Sequence, residues 1–219
     1  MEQAGVEMGL YCEHFFPWFM EKMGDSSNDI IKNLRRDTLN GLAGDVLEIG
    51  FGIGANTPYY TSDIRSVTAL EPNEGMIRRA ERYISGSSIP ITFVKGSAEA
   101  LSFEDNAFDA VVSTMTLCSV GGLSEALMEI YRVIRPGGAF HFFEHVAAHN
   151  PIDRGLQNIL TPVTKTIFCG CHLNREIESA IVSVGFHIKD INRDRQRIGI
   201  MPEFMSYFIH GVALRKQDI

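Results

Sequence analysis

The chain has one tryptophan and four cysteines among its 219 residues. Cys12, Cys118, Cys169 and Cys171 are too few for the framework of several disulfides that staples small secreted domains. Basic residues are outnumbered, 20 against 27 acidic ones, for a net charge of −7. That balance argues against a protein that tracks the phosphates of a nucleic acid, and against electrostatic capture by anionic lipid. Long apolar runs are missing as well. The longest uncharged stretch, Ala110 to Ser124, is diluted by Ser, Thr and Gly. It falls short of the roughly 18 apolar residues that a transmembrane helix needs. The opening MEQAGVEMGLYCEHFF places no basic segment before an apolar one. No secretory signal is read there, and the expected compartment is the cytoplasm.

With 45% hydrophobic and 21% charged residues, the composition is that of a globular domain able to bury a core without staples. Residues 1–40 read as helical, with aromatics at Tyr11, Phe15, Phe16, Trp18 and Phe19, and with Pro17 as a break. From Gly44 onward, short apolar runs alternate with amphipathic ones. Strands are expected at Asp45–Ile49, Ser66–Leu70, Ile91–Lys95, Ala107–Ser113 and Ala139–Glu144. Helices are expected at Asn56–Tyr60, Asn73–Ser85 and Ser124–Ile134. Beyond residue 150 the pattern predicts a polar loop, a helix near Arg175–Val184, and two late strands, Phe186–Ile191 and Met205–Leu214. Apolar strands alternating with such helices predict an α/β fold, a doubly wound and mostly parallel sheet with its crevice at the strands' carboxyl ends.

The sharpest motif is Val46-Leu47-Glu48-Ile49-Gly50-Phe51-Gly52-Ile53-Gly54, a strand entering a glycine-rich turn. Glycines let backbone turn sharply and approach a ligand closely. The spacing is G-x-G-x-G, which lacks the third-glycine position of nicotinamide dinucleotide binders. Glu71 ends the second strand, seventeen residues beyond Gly54, where a carboxylate accepts both hydroxyls of a ribose. After the third strand, Gly96-Ser97-Ala98-Glu99 offers a flat surface of small residues suited to a purine ring.

Together with Arg135-Pro136-Gly137-Gly138 before strand five, this set resembles the class I S-adenosylmethionine-dependent methyltransferases. The resemblance implies a seven-stranded Rossmann-like sheet, S-adenosyl-L-methionine as cofactor, an N-terminal helical lid over 1–40 and a methyltransferase domain over 41–219. It places Gly50, Gly52 and Gly54 beneath the methionine part, Phe51 among the cofactor-binding residues, and Glu71 on the ribose. It also places Pro72 and Met76 near the adenine, Ser97, Ala98 and Glu99 at the adenine edge, and Thr114 on the methionine side. Thr116-Leu117-Cys118-Ser119-Val120, Glu144-His145-Val146-Ala147-Ala148 and Gly170-Cys171-His172-Leu173-Asn174-Arg175-Glu176 resemble the methyltransferase-like alkyl thiol methyltransferases and their bacterial relatives. The animal members carry an N-terminal hydrophobic membrane anchor, and no such segment is read in this chain.

Methyl transfer from a sulfonium requires alignment and exclusion of water, with a base only for a protonated acceptor. The acceptor is expected to be a small molecule, with a thiol favoured. An oxygen or nitrogen acceptor (a phospholipid amine or a quinone-like ring) and a non-catalytic cofactor-binding protein stay open. His145, directly after strand five, is the candidate base, beside the plainer reading of a loop histidine bonded to backbone. His141, His145 and His149 imitate one helical face, but His141 falls in a strand, so that stripe is set aside. Cys169-Gly170-Cys171-His172 supplies only neighbouring ligands, so no metal is expected; an acceptor-pocket loop using Cys171 and His172 and a packed loop both remain. Cys118 is read as a pocket residue or a buried inert thiol. Tyr11 and Trp18 are pocket candidates in a lid, with peripheral membrane contact or a dimer contact as the other readings, so monomer and homodimer are both allowed.

Overall fold

The protein is described by a computed structural model over residues 9–23, 29–195 and 202–217. Seven strands form one sheet: β1 (Gly44–Ile49), β2 (Ile64–Leu70), β3 (Ile91–Val94), β4 (Phe108–Thr114), β5 (Ile134–His145), β6 (His187–Arg195) and β7 (Tyr207–Leu214). Their order is β3-β2-β1-β4-β5-β7-β6. The first five pair in parallel, and β7 lies antiparallel between β5 and β6. The doubly wound, mostly parallel sheet expected from the apolar runs is the one that forms. Its direction of winding reverses between β1 and β4, so the crevice at their carboxyl ends is where a ligand would lie.

Alternation along the strands divides the core between two faces. Leu47, Ile49, Val111, Phe140 and Phe142 meet α4 (Leu123–Val133) and α6 (Ile177–Ser183) through Leu127, Ile130, Ile177 and Ile181. On the other face Val46, Ala110 and Val112 meet Leu39 at the end of α2 (Asp29–Leu39), and Phe143 and Phe208 meet its Ile31 and Leu34. Because α2 buries Ile31, Leu34, Arg35, Thr38 and Leu39, it is packed onto the sheet as part of the fold. Helix α3 (Glu74–Ile84) is opened by Asn73, whose side-chain oxygen accepts from the backbone N–H groups of Gly75 and Met76.

Four expectations need correction. The segment read as a polar loop after residue 150 is the longest helix described, α5 (Pro151–Ile167), with Asn150 as N-cap and Pro151 in its first turn. Gly155 and Pro162, which read as breakers, both lie inside it. Pro17 does not end the N-terminal helix. A π-helical turn, Tyr11–Phe15, runs into α1 (Phe16–Met23), and the Cys12 carbonyl, five residues before Pro17, accepts from Asn73 Nδ2 in place of the N–H that proline lacks. The helix expected at Asn56–Tyr60 is a single 3₁₀ turn, Thr57–Tyr59. Lastly, four cysteines make no framework but do make one bridge, between Cys12 and Cys169, 157 positions apart. Residues 1–8 and 24–28 of the expected lid lie outside the described residues.

Candidate active site

The turn after β1 is built as the glycine spacing requires. Gly50, Gly52 and Gly54 all have positive φ, at +67°, +58° and +87°. A Cβ on Gly50 would lie 2.3 Å from the Thr116 hydroxyl, so the turn sits tight against the loop after β4. Above Gly52 the ground is open: an added Cβ would meet only the Gly50 carbonyl oxygen, at 3.9 Å. That uncovered backbone is a cradle for a ligand, and a side chain would fill it. Glu71 stands across the cradle. One carboxylate oxygen accepts the Gly52 N–H at 2.8 Å and the other accepts the Asn73 N–H at 2.9 Å. Burial raises the Glu71 pKa to about 7, against the lowering effect of those two N–H donors. These residues fit the group the resemblance implies, since a buried carboxylate beside an exposed glycine backbone can take a ribose diol.

Beneath the turn lies a polar network that sequence reasoning missed. Arg35 of α2 donates from Nη1 to Asn56 Oδ1 and to Thr114 Oγ1, each at 2.8 Å. Asn56 donates to Glu48 Oε1 and to Thr114 Oγ1, each at 3.0 Å, and the Tyr60 hydroxyl donates to the other Glu48 oxygen. The Thr114 hydroxyl is therefore committed within the protein. Burial raises the Glu48 pKa to about 7, while Tyr60, Arg35 and Asn56 oppose the rise. A charged residue inside an apolar strand was the available signal at Glu48; its partner Arg35 carried none. Phe51 lies under the turn as core, its ring edge-on to Phe93.

The adenine-side candidates divide. Glu99 accepts the Gly121 N–H at 2.6 Å and the Gly122 N–H at 3.2 Å, and it is paired with the Ser97 hydroxyl, so both residues fix the approach to α4. Ala98 packs in the core beside Leu70 and Leu101, and Met76 is buried in the first turn of α3, whereas Pro72 is exposed. The N-terminal segment closes over this side. Asn73 Nδ2 donates to the Cys12 carbonyl at 2.6 Å, and Glu21 bridges to Arg79 and Arg82 of α3.

On the acceptor side the loop after β4 is held from two directions. Glu144, fully buried, accepts from the Ser113 hydroxyl at 2.7 Å and from the backbone N–H groups of Thr116, Leu117 and Cys118 at 3.1, 3.0 and 3.3 Å. Arg175 donates to the carbonyls of Leu117 at 2.5 Å and Val120 at 2.6 Å. Neither residue was singled out from sequence, because each acts on backbone far along the chain. Cys118, Cys171 and His172 come together here. The two sulfurs are 4.0 Å apart, and His172 approaches the Cys118 carbonyl through Nδ1 at 3.3 Å. His172 also lines an open groove of about 530 Å³ with Asn158, Thr161 and Lys165. Among the described residues, no group of three His, Cys, Asp or Glu is placed to hold a metal.

His145 does not join this cluster. It follows Glu144 and so points to the opposite face of β5, against the Phe208 ring, with Nε2 donating to the Met205 carbonyl. Burial lowers its pKa to about 4. A ring that is neutral, enclosed and tied to backbone is a poor proton acceptor, so the base expected from sequence is corrected to a structural histidine. Its unfolded form takes up a proton near pH 6.5 and its folded form only near pH 4, so stability falls as pH drops through that interval, by about 3 kcal/mol from this group. In His145→Leu the denaturant midpoint should depend less on pH between 6.5 and 4 than in the parent, with the pH–rate profile unchanged. An altered profile would return the ring to the chemistry.

Tyr11 and Trp18 flank an exposed apolar band rather than an enclosed pocket. The Tyr11 hydroxyl donates to the Ile167 carbonyl at 3.1 Å, and the rings of Tyr11, Phe15 and Trp18 follow one another at 5.3 and 5.4 Å. The band continues along α5 through Ile152, Leu156, Ile159, Val163 and Ile167, all exposed. No helix among the described residues is long and apolar enough to cross a membrane.

A family model described as a methyltransferase domain matches residues 47–142. Human thiol S-methyltransferase TMT1A is 33% identical over 200 residues, covering 82% of this chain and 79% of that protein. Sterol 24-C-methyltransferase erg-4 of Neurospora crassa is 35% identical over 108 residues, covering 48% of this chain and 28% of its own length. Among solved structures, a geranyl diphosphate methyltransferase in complex with GPP and sinefungin superposes with a TM-score of 0.68 at 15% identity, covering 85% of this chain and 77% of that one.

Proposed function

Because the chain belongs to the class I S-adenosylmethionine-dependent methyltransferases, in the branch of the alkyl thiol methyltransferases, with S-adenosylmethionine as cofactor, we propose that it methylates the sulfur of a small apolar thiol. One observation carries the thiol. The likeness to the human thiol enzyme runs over 82% of the chain, well beyond the cofactor half, whereas the likeness to the sterol enzyme covers 48%. Acceptor specificity belongs to the segments outside the cofactor half, so the longer match is the informative one.

The bound cofactor supplies an electrophilic methyl on a positively charged sulfur. The chain's own residues do the remainder. Glu71 and the bare Gly52 backbone fix the nucleoside, while the Glu48–Asn56–Arg35 network keeps the turn beneath it rigid. Glu144 and Arg175 hold the loop after β4 against the acceptor, and the N-terminal segment excludes water from above. No protein base is placed at the acceptor: the nucleophile is the thiolate, whose fraction grows as pH rises toward the thiol pKa and which forms far more readily than an alkoxide. The apolar band along α5 and the N-terminal aromatics supports a lipophilic acceptor met from a detergent-like or bilayer surface.

The test is formation of S-adenosylhomocysteine with an alkanethiol, the matching alcohol, the matching amine, and vesicles of phosphatidylethanolamine. The thiol should turn over at least about tenfold faster than its analogues, with a rate that rises as pH nears the thiol pKa. Faster turnover of the alcohol, the amine or the phospholipid would sink the sulfur reading.

A further inference from the structure

The four cysteines gather at one place in the fold. Cys169 is bridged to Cys12, and two residues on, Cys171 brings its sulfur to 4.0 Å from that of Cys118. The segment carrying both is pressed onto the loop after β4. Gly170 has φ +111°, and a Cβ there would lie 2.5 Å from the Ser119 carbonyl oxygen; the His172 N–H donates to the Cys118 carbonyl at 2.8 Å. Cys169 itself sits at φ +44°, a conformation that a side chain rarely adopts, so the segment is fixed by its neighbours. The two free thiols are unequal. Cys118 is buried, and Cys171 is half-buried. Their hydrogen bond lowers the pKa of Cys171 and raises that of Cys118, with burial adding to the rise at Cys118, so Cys171 is the one to ionise.

A half-buried thiol backed by a fully enclosed one, 4.0 Å away, is the arrangement of an attacking and a resolving thiol. We propose that Cys171 and Cys118 form a redox-active dithiol beside the acceptor site, which is oxidised to a disulfide by low-molecular-weight disulfides. The Cys171 thiolate attacks one sulfur of RS–SR; the S–S bond breaks, a mixed disulfide forms, and RS⁻ departs. Cys118 then gives up its proton, RS⁻ being the available base, and attacks the Cys171 sulfur, expelling the second RS⁻. Overall two protein S–H groups become one S–S bond, and RS–SR becomes two RSH. The sulfurs must approach by about 2 Å, and the segment already pressed onto the loop after β4 holds them close enough for that.

The protein with the Cys12–Cys169 bridge intact is incubated with cystamine without oxygen, then alkylated under denaturing conditions. Free thiols should fall from two to none, with the protein carrying no cysteamine. Trypsin cuts after Lys22, Lys95, Arg132, Lys165 and Arg175, so before oxidation the peptide holding Cys169 and Cys171 is joined only to that holding Cys12. Afterwards it should be joined to the Cys118 peptide as well. Cys118→Ser should stop at one cysteamine on Cys171, and Cys171→Ser should leave Cys118 unreacted and its peptide unlinked. A stable adduct on the parent, no reaction while a free cysteine peptide reacts, or linkage of the Cys118 peptide in Cys171→Ser would each overturn the proposal. The parent measurement stands even if a variant misfolds. None of these readouts involves methyl transfer, so the outcome does not depend on the acceptor.

Discussion

Glu71→Ala is expected to weaken binding of S-adenosylhomocysteine by on the order of a hundredfold, measured by calorimetry at pH 8. Two hydrogen bonds from ribose hydroxyls to an ionised carboxylate contribute roughly 1.5–3 kcal/mol each, and part of that is offset because each oxygen already accepts one backbone N–H, from Gly52 or Asn73, and shares its charge with it. The pH dependence is the sharper half of this prediction. With the ligand absent the carboxyl titrates at about 7, raised by burial. The form that accepts two hydroxyls is the anion, so binding draws the group toward ionisation and releases a proton below that pH. Affinity should rise with pH from about 5.5 to 7 and level off above. Glu48 also titrates at about 7, so Glu71→Gln provides the separation: it should lose most of the slope while keeping the fold. Affinity in Glu71→Ala equal to that of the parent would show that β2 ends elsewhere than at the ribose.

The second large effect is one of stability. Glu144→Ala should lower the free energy of unfolding by about 4 kcal/mol and the melting temperature by roughly 10 °C. The carboxylate is fully buried and is the acceptor for one hydroxyl and three consecutive backbone N–H groups. Deleting it leaves four donors without a partner in a place that admits little water, and each costs about 1–3 kcal/mol before any relaxation. Glu144→Gln keeps one acceptor oxygen but brings an amide that faces other donors, so it should fall between the parent and Glu144→Ala. Urea unfolding with unchanged slope distinguishes lost stability from a change in the unfolded chain. A loss below about 1 kcal/mol would mean that the loop finds other acceptors.

The sheet was legible because its strands are runs such as Val46–Ile49 and Ala110–Val112, whose apolar side chains have no other use than burial. Helix α5 was not. Its apolar residues face outward, its inward residues are Gln157, Thr161 and Thr164, and it contains glycine and proline, so every local cue read as loop. Gln157 shows the physical reason, since it is wholly buried and spends its amide on the backbone of Val146, Ala148 and Phe204. In the site, Glu71 could be found because a carboxylate closing an apolar strand is conspicuous in one dimension. Arg35, Glu144 and Arg175 could not, because their partners lie 21 to 79 positions away and are often backbone atoms, which no sequence displays. His145 was placed at the right edge of the sheet and on the wrong side of it. Alternation along β5 sends Glu144 toward the Cys118 loop and His145 toward Phe208.

The bridge between Cys12 and Cys169 also decides how the molecule bears load. Tension that reaches Cys12 from one side and Cys169 from the other passes through that covalent bond and bypasses the ring of chain between them, which holds β1 to β5 and the cofactor crevice. The cofactor half, enclosed by that bridge, is thus shielded from tension carried along the chain on either side of it.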